Sequence, residues 1–322
     1  MVAARLAPHP NPLSTGGQRG GRPRVLASFG ARRQVFFALL GLPALAYVAV
    51  VAIWPLLQGL WYSFFHYNLV RPGQFRFIGL SNYIDLFTDD TTRWSVIVTF
   101  IFTVLAVSIE FVLGLGLAVL LWRDNRFNRI ALALLLVPVT VTPLAVGLLF
   151  RALLAPDFGL LGYYAAQLGL SGERGFFADP VGAMGAIVFI DVWQWTPLMA
   201  LILLAGLKAL PVDVIDAAET DGATALQRFR IIVFPMILPS VFLSLVLRTM
   251  DAFRVFDSVF VTTKGGPNDA TNVLLFYAVK QGFEFYDIGF ASAIANLMIV
   301  CMAIFAVVFI LLIRRADRMA NG

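Results

Sequence analysis

Residues 94–122 read WSVIVTFIFTVLAVSIEFVLGLGLAVLLW, an apolar run of 29 residues with a tryptophan at each end and one ionisable side chain, Glu110. About 20 apolar residues in a helix cross the hydrocarbon core of a bilayer. Tryptophan is enriched where such a helix meets the headgroups. The run therefore predicts a transmembrane helix.

Five further apolar runs share this character and complete a set of six predicted spans: 36–57, 130–150, 181–207, 236–256 and 289–313. The whole chain of 322 residues is 60% hydrophobic and 13% charged, with a mean hydropathy of +0.84. Soluble domains are nearer one quarter charged, because their surfaces face water. We predict an all-α, polytopic membrane protein with a transmembrane domain over residues 35–315.

Lysine and arginine are distributed unequally between the two sides of these spans. The tail, the second and fourth loops and the C-terminus hold 15 of them, and the opposite loops and their flanks hold nine. Positive loops stay in the cytoplasm, so both termini are predicted to be cytoplasmic. Residues 1–34, rich in Pro, Gly and Arg, are expected to form a disordered cytoplasmic tail, with no cleavable signal peptide before the first span.

Several kinds of chemistry have no support in the sequence. No phosphate loop, zinc-ligand spacing or catalytic domain occurs, and the chain has one cysteine, Cys301, and two histidines. The cations lie at the ends of apolar runs rather than in a patch interleaved with aromatic residues, so nucleic acid is not an expected partner. We expect no enzyme activity, no metal site and no cofactor in this chain.

The loop between the fourth and fifth predicted spans is the polar segment with a recognisable pattern. Residues 208–230 read KALPVDVIDAAETDGATALQRFR. Pro211 followed by Asp213 indicates a helix start, with an acid at the positive end of the dipole. Gly222 permits the left-handed turn that ends a helix, and a second short helix is expected to end near Pro235. From the residues alone, a compact helical hairpin and a plain surface loop remain alternatives.

Residues 216–223, DAAETDGA, followed by Phe229, Ile232, Pro235 and Pro239, resemble the EAA loop of binding-protein-dependent ABC importer permeases. Asp216 stands where that family usually has Glu, which keeps the negative charge. The resemblance implies the type I ABC importer permease fold and a loop, 209–230, that inserts into a cleft of an ATPase subunit. The coupling residues it implies are Asp216, Ala217, Ala218, Asp221, Gly222 and Ala223.

A second stretch, KGGPNDAT at 264–271 with DIGFASA at 287–293, is similar to the carbohydrate-uptake branch of that family. This branch includes maltose, trehalose and glycerol-phosphate importers, and the resemblance covers residues 35–315. It implies a multi-pass inner-membrane subunit that works with a second homologous permease subunit, an extracytoplasmic solute-binding protein and two ATPase subunits that bind ATP and Mg²⁺. A disaccharide such as trehalose or maltose is the expected solute, and a polyol or glycerol phosphate remains open.

Ionisable side chains inside apolar spans are costly, so each needs a partner or a polar cavity. Asp191, Gln194, Trp195 and Leu198 share one helix face, and Arg248, Asp251 and Val255 share another at spacings of three and seven. Acids and amides bond sugar hydroxyls, and an indole covers the apolar face of a sugar ring. Similarity to the maltose permease subunit implies substrate binding by these seven residues and by Ala252.

Alternatives remain for the site and for the function. Arg248 and Asp251 could only lock helices together, and the role of Glu110 is open. Trp193 is expected to pack, because it projects away from the face that holds Asp191. An ion-coupled secondary sugar transporter is the rival class, but it should show inverted repeats, which we do not find. An intramembrane enzyme would need a nucleophile and base or a metal cluster at membrane depth.

Overall fold

The computed structural model describes residues 40–170 and 174–320. The predicted tail, residues 1–34, and the first residues of the first predicted span, 36–39, lie outside the described residues. By internal packing the described chain falls into two units, one ending at Leu56 and the other beginning at Leu57. The first unit is entirely helical over residues 40–56. The second unit holds every other element and the candidate site.

The elements are helical apart from one two-stranded antiparallel sheet. In chain order they are α1 (Leu40–Tyr62), β1 (Phe65–His66), β2 (Arg76–Phe77), α2 (Ser81–Thr88), α3 (Asp90–Leu120), α4 (Arg126–Thr140), α5 (Pro143–Leu153), α6 (Leu160–Gln167), α7 (Pro180–Lys208), α8 (Val212–Thr220), α9 (Ala225–Met236), α10 (Leu238–Ala252), α11 (Asp257–Thr262), α12 (Leu274–Phe283) and α13 (Ile288–Ala320).

Four of these helices, α1, α3, α7 and α13, are long and apolar enough to cross a membrane. Two bent pairs, α4 with α5 and α9 with the helical segment that follows it, also qualify when each pair counts as one span. The described chain therefore has four straight candidate spans, and up to six when each bent pair is one span, in the same order as the six apolar runs. The predicted all-α membrane class is confirmed.

Helices α3 and α7 begin before the apolar runs that predicted them, at Asp90 and Pro180, because polar side chains cap their N-termini. Asp89 precedes α3 and accepts a hydrogen bond from the backbone N of Thr92 at 2.7 Å. Asp179 precedes α7 and accepts from the backbone N atoms of Val181 and Gly182 at 3.0 and 3.1 Å. A capping carboxylate satisfies amide groups that lack an intrahelical partner. Hydropathy does not register such caps, so the predicted starts at 94 and 181 lie after the observed starts at Asp90 and Pro180.

The third predicted span, 130–150, is not a single helix. Helices α4 and α5 meet at an angle of 95°. The residue before a proline is pushed out of the helical region, and Thr142, which precedes Pro143, is extended with ψ 140°. The interruption lies inside the apolar run, so apolarity alone predicted a continuous helix.

The fifth predicted span, 236–256, is also interrupted. A bend of 65° separates α9 from α10, and α10 ends at Ala252. Val255 lies in the connection to α11, so the prediction that it shares a helix face with Arg248 is wrong. Phe256 has φ −142° and ψ −55°, outside the helical region, which breaks the seven-residue spacing.

Helices α3 and α7 form the centre of the second unit. Phe102 of α3 and Ile187 and Leu203 of α7 are fully buried. A Cβ at Gly114 would lie 2.7 Å from Cγ of Met199 and 3.2 Å from the backbone N of Ala200. The glycine thus lets the two helices approach closely, which is how membrane helices gain packing energy.

Candidate functional site

A buried ion network joins three helices of the second unit. The Arg248 guanidinium on α10 donates to both carboxylate oxygens of Glu110 on α3, at 2.7 and 2.8 Å. It also donates to Asp191 Oδ2 on α7 at 2.7 Å and to Asp251 Oδ2 on its own helix at 2.6 Å. The Arg248 and Glu110 side chains are 1% and 0% exposed. All three nitrogens of the guanidinium are therefore in use.

The network stabilises the arrangement of α3, α7 and α10 rather than offering free groups. Asp191 is 11 residues into α7, which corresponds to roughly 16 Å along the helix axis and hence to the interior of a bilayer. Separating a buried charge from its partner costs about 3–5 kcal/mol. The alternative that Arg248 locks helices is the one that its contacts favour.

A small open pocket of about 170 Å³ adjoins this network. Five of the eight predicted substrate-binding residues line it: Asp191, Gln194, Trp195, Asp251 and Val255. The wall thus presents two acids, an amide and an indole. The centroid of the Trp195 ring lies 5.1 Å from Cζ of Arg248. The indole therefore covers the guanidinium and also lines the pocket.

The other three predicted residues do not line the pocket. Arg248 lies behind the wall, where three carboxylates surround it. Ala252 is 1% exposed and belongs to the hydrophobic core, and Leu198 is half-buried one turn beyond Trp195. Arg248 reaches the pocket only through Asp191 and Asp251.

Sequence reasoning missed several residues of the wall. Arg254 and Asp257 line the pocket, although helical spacing did not assign them to the site. The remaining lining residues are Pro143, Ile190, Phe256 and Ser258. Ile190 precedes Asp191 on α7, whereas the other three come from the two interrupted segments, 141–143 and 253–258, where the sequence offered a signal only in Pro143. The partner of Glu110 was also missed, although Arg248 is a cation in an apolar run that needs a counter-ion.

Gln194 has a structural task beside its place in the pocket wall. Its Nε2 donates to the backbone carbonyl of Val141 at 2.9 Å. That carbonyl belongs to the interruption between α4 and α5. A backbone group left without an intrahelical partner in the membrane must be satisfied by a neighbour. Gln194 therefore holds the bend against α7.

Trp193, the neighbour of Gln194, points elsewhere. Its ring packs edge-on against Phe150 with centroids 5.1 Å apart, and the residue is 38% exposed. It does not line the pocket beside Asp191. Trp193 and Trp195 thus give α7 one indole on the outer surface and one on the pocket wall.

The cytoplasmic loop forms a helical hairpin. Helix α8 begins after Pro211 and is followed by Asp221 and by Gly222, which has φ +81°. No atom lies within 4 Å of where a Gly222 Cβ would be, so the backbone conformation, rather than space, calls for glycine. Thr224 and Gln227 form a capping box at the start of α9.

The predicted coupling residues are concentrated on this hairpin. Asp216, Ala217, Asp221 and Gly222 are exposed, Ala223 is half-buried and Ala218 is buried. An ion pair between Glu219 and Arg228 ties α8 to α9. Val212 on α8 and Leu226 on α9 are apolar and 66% and 71% exposed. Apolar groups displayed among polar ones are typical of a surface that a partner covers.

Curated relatives resemble the chain over most of its length. It is 35% identical to the trehalose transport system permease protein SugA of Mycobacterium tuberculosis, over 87% of this chain and 89% of that protein. It is also 35% identical to the trehalose/maltose transport system permease protein MalF of Thermococcus litoralis, over 84% and 91%. A solved bacterial ABC transporter involved in the import of the polysaccharide alginate has the same fold, with a TM-score of 0.75, 19% identity and coverage of 91% and 99%.

Residues 110–321 match the family described as the binding-protein-dependent transport system inner membrane component. The match begins at Glu110, includes the cytoplasmic hairpin and runs through α13. The described chain has the multi-pass helical architecture that an inner-membrane component requires. This protein therefore belongs to the binding-protein-dependent family of ABC importer permeases, which are membrane components of transport systems rather than enzymes.

Proposed function

We propose that this chain is a membrane-spanning subunit of an ATP-driven importer for a sugar, with a disaccharide such as trehalose or maltose as the favoured solute. The observation that carries the proposal is the pocket between the spans, where Asp191, Gln194 and Trp195 lie together. Carboxylate and amide groups bond hydroxyls, and an indole plane covers sugar C–H groups. The names of the two relatives support the same class of solute.

The hairpin of α8 and α9 is the proposed contact with an ATPase subunit. Its exposed apolar side chains, Val212 and Leu226, would be buried by a cleft in that partner. Asp216, Asp221 and Gly222 would shape the turn that enters the cleft. The energy source is ATP bound with Mg²⁺ to two ATPase partners. A second homologous permease and an extracytoplasmic binding protein complete the proposed assembly.

The contacts within the second unit suggest how motion of the hairpin reaches the pocket. Helix α9 continues, through a bend at Ile237, into α10, which carries Arg248. The ion network connects α10 to α3 and α7. Displacement of the hairpin would therefore move the helices that line the pocket as a connected body, and the solute would be exposed first to one side and then to the other.

The test is uptake by the complete importer in proteoliposomes, with its binding protein and radiolabelled trehalose or maltose. We expect uptake that requires ATP, and we expect Trp195→Ala to reduce it at least tenfold, about 1.4 kcal/mol. Trp193→Ala is the matched control, because that indole lies on the same helix but outside the pocket, and its uptake should stay within about twofold.

Two outcomes would contradict the proposal. One is unchanged uptake kinetics in both Trp195→Ala and Asp191→Asn, which would remove the pocket from the path of the sugar. The other is uptake without ATP that a protonophore abolishes, which would instead indicate an ion-coupled secondary transporter.

A further inference from the structure

The charged groups at the pocket do not balance. Asp191, Asp251, Asp257 and Arg254 line it, and Glu110 and Arg248 lie directly behind the wall. Glu110 and Asp191 share the guanidinium of Arg248 and count as a single negative charge, because two close buried carboxylates do not both ionise. With Asp251 and Asp257 this makes three negative charges against two guanidinium groups, which leaves one in excess. A cavity walled by protein focuses such a charge on whatever enters it.

Neither arginine is free to receive an anion. Arg248 already donates to Glu110, Asp191 and Asp251, and its side chain is 1% exposed. A phosphate or carboxylate could reach it only by displacing a carboxylate. That exchange would place an unpaired acid in a low-dielectric site. Arg248 is therefore saturated by its own neighbours.

Arg254 is the cation that the pocket does expose. It donates to Asp251 Oδ1 at 3.3 Å, and its side chain is 61% exposed. Asp257 lies three residues further on and lines the same pocket. Among the described residues Asp257 has no salt-bridge partner within 4.0 Å. Asp251 and Asp257 thus outnumber the one exposed cation.

Helix α5 adds a positive field at the pocket. Its N-terminus, at Pro143, lines the wall, and a helix N-terminus is equivalent to about half an elementary charge. This is about half of the one negative charge in excess. The field at the pocket is therefore negative after the helix dipole is included.

We propose that this pocket rejects anionic solutes, so that the importer accepts a neutral sugar and discriminates against its phosphorylated or acidic derivatives. Asp251 and Asp257 would determine the discrimination, and Arg254 would oppose it. The inference rests on the proposed function, because it concerns the same pocket. It separates the disaccharides from glycerol phosphate, two classes that the sequence pattern leaves together.

The experiment compares trehalose with trehalose 6-phosphate and maltose with maltose 1-phosphate. Binding to the purified complete importer is measured by equilibrium dialysis without the solute-binding protein, which has a selectivity of its own. We expect the phosphate esters to bind at least tenfold more weakly than their parent sugars at low salt. The ratio of parent-sugar affinity to ester affinity should shrink as ionic strength rises, because salt screens charges at an open pocket.

Variants assign the effect to particular side chains. Asp257→Asn should reduce the discrimination about tenfold, a change of about 1.4 kcal/mol, and Arg254→Gln should increase it by a similar factor. Glu284→Gln is the matched control, because Glu284 is an exposed acid that follows α12 and does not line the pocket. The affinity ratio between parent sugar and phosphate ester in this variant should equal that of the unmodified protein.

The outcomes separate this inference from the function on which it rests. If esters and parent sugars bind equally well, or if Asp257→Asn and Arg254→Gln leave the ratio unchanged, the charge argument is wrong while sugar import stands. If neither the sugars nor the esters bind, and no sugar is taken up, the proposed function is wrong and the inference falls with it.

Discussion

The guanidinium of Arg248 and the carboxylate of Glu110 form a bidentate pair, with hydrogen bonds of 2.7 and 2.8 Å, although the residues are 138 positions apart. Two parallel N–H···O bonds fix both distance and orientation. The pair connects α3 to α10 at a depth where water cannot substitute for either partner. It is the contact on which the geometry of the pocket depends.

Loss of the guanidinium should destabilise the protein strongly. We expect Arg248→Met, which preserves much of the side-chain volume, to lower stability by about 3–5 kcal/mol, because the buried carboxylates of Glu110 and Asp191 would remain without their counter-ion. The measurement is thermal unfolding of the purified protein in detergent. Arg93→Met is the control, since Arg93 pairs with Asp90 on the surface, and exposed pairs contribute little. Equal melting temperatures for the two variants would show that the network is not structural.

The amide of Gln194 should hold the bend between α4 and α5. We expect Gln194→Leu to cost about 1–3 kcal/mol, the penalty of leaving the partly buried Val141 carbonyl without a donor. Amide hydrogen exchange should rise at residues 144–147, in the first turn of α5. Gln194→Glu has nearly the same shape but lacks the donor, so it should behave like the leucine variant. Unchanged exchange in both variants would assign the bend to Pro143 alone.

The turn of the cytoplasmic hairpin should tolerate substitutions according to backbone preference rather than size. Gly222 has φ +81° and open space around it. Asparagine adopts the left-handed region readily and β-branched residues do not. We therefore expect Gly222→Asn to retain most sugar-stimulated ATP hydrolysis by the assembled importer and Gly222→Val to lose most of it. Co-purification with the ATPase subunit provides a second measurement. Similar losses in both variants would indicate steric contact with a partner instead.

Tyr277 and Asp89 lie outside the candidate spans, and the hydrogen bond between them should make the stability of the protein depend on pH. Burial and the charge of Asp89 raise the pKa of Tyr277 to about 12. Since its proton is held more tightly in the folded state, this stabilisation is present below about pH 10 and is lost as pH rises to about 12. Ultraviolet titration should show a phenol near pH 12 that Tyr277→Phe removes.

The carboxyl group of Asp89 should make the stability of the protein depend on pH in the acidic range. Burial alone would raise its pKa, but hydrogen bonds from Thr92 and Tyr277 outweigh burial and lower the pKa below its ordinary value. A carboxylate with a lowered pKa stabilises the fold above its unfolded pKa, and that contribution is lost as pH falls through the folded pKa. Asp89→Asn should therefore weaken the pH dependence of unfolding below about pH 4. If the pH dependence of unfolding in the acidic range were the same with and without the substitution, this role for the Asp89 carboxylate would be contradicted.

The sequence predicted the spans better than it predicted their interruptions. Runs such as 94–122 and 181–207 are long enough that lipid is their only stable environment. The breaks at Thr142 and at 253–256 depend on local conformation and on what a neighbouring helix can satisfy. Pro143 signalled the first break, whereas the end of α10 at Ala252 has no comparable signal. The prediction for Val255 failed for this reason.

Five of eight predicted site residues line the pocket because helical spacing places Asp191, Gln194 and Trp195 on one face. The same reasoning could not separate a residue that lines the pocket from one just behind it. Arg248 and Ala252 share α10 with Asp251, yet Arg248 turns into the network and Ala252 into the core. Burial depends on which helix packs alongside, which spacing within one helix does not reveal.

The amino-acid sequence alone determined the solvent in which the chain folds, the order of its spans and the hairpin on its cytoplasmic side. These properties follow from transfer free energies and from local backbone preferences, which act within a few tens of residues. Tertiary structure alone decided that Glu110 and Asp191 share the guanidinium of Arg248. Opposite charges far apart in the chain pair only when packing brings their helices together and removes water from between them.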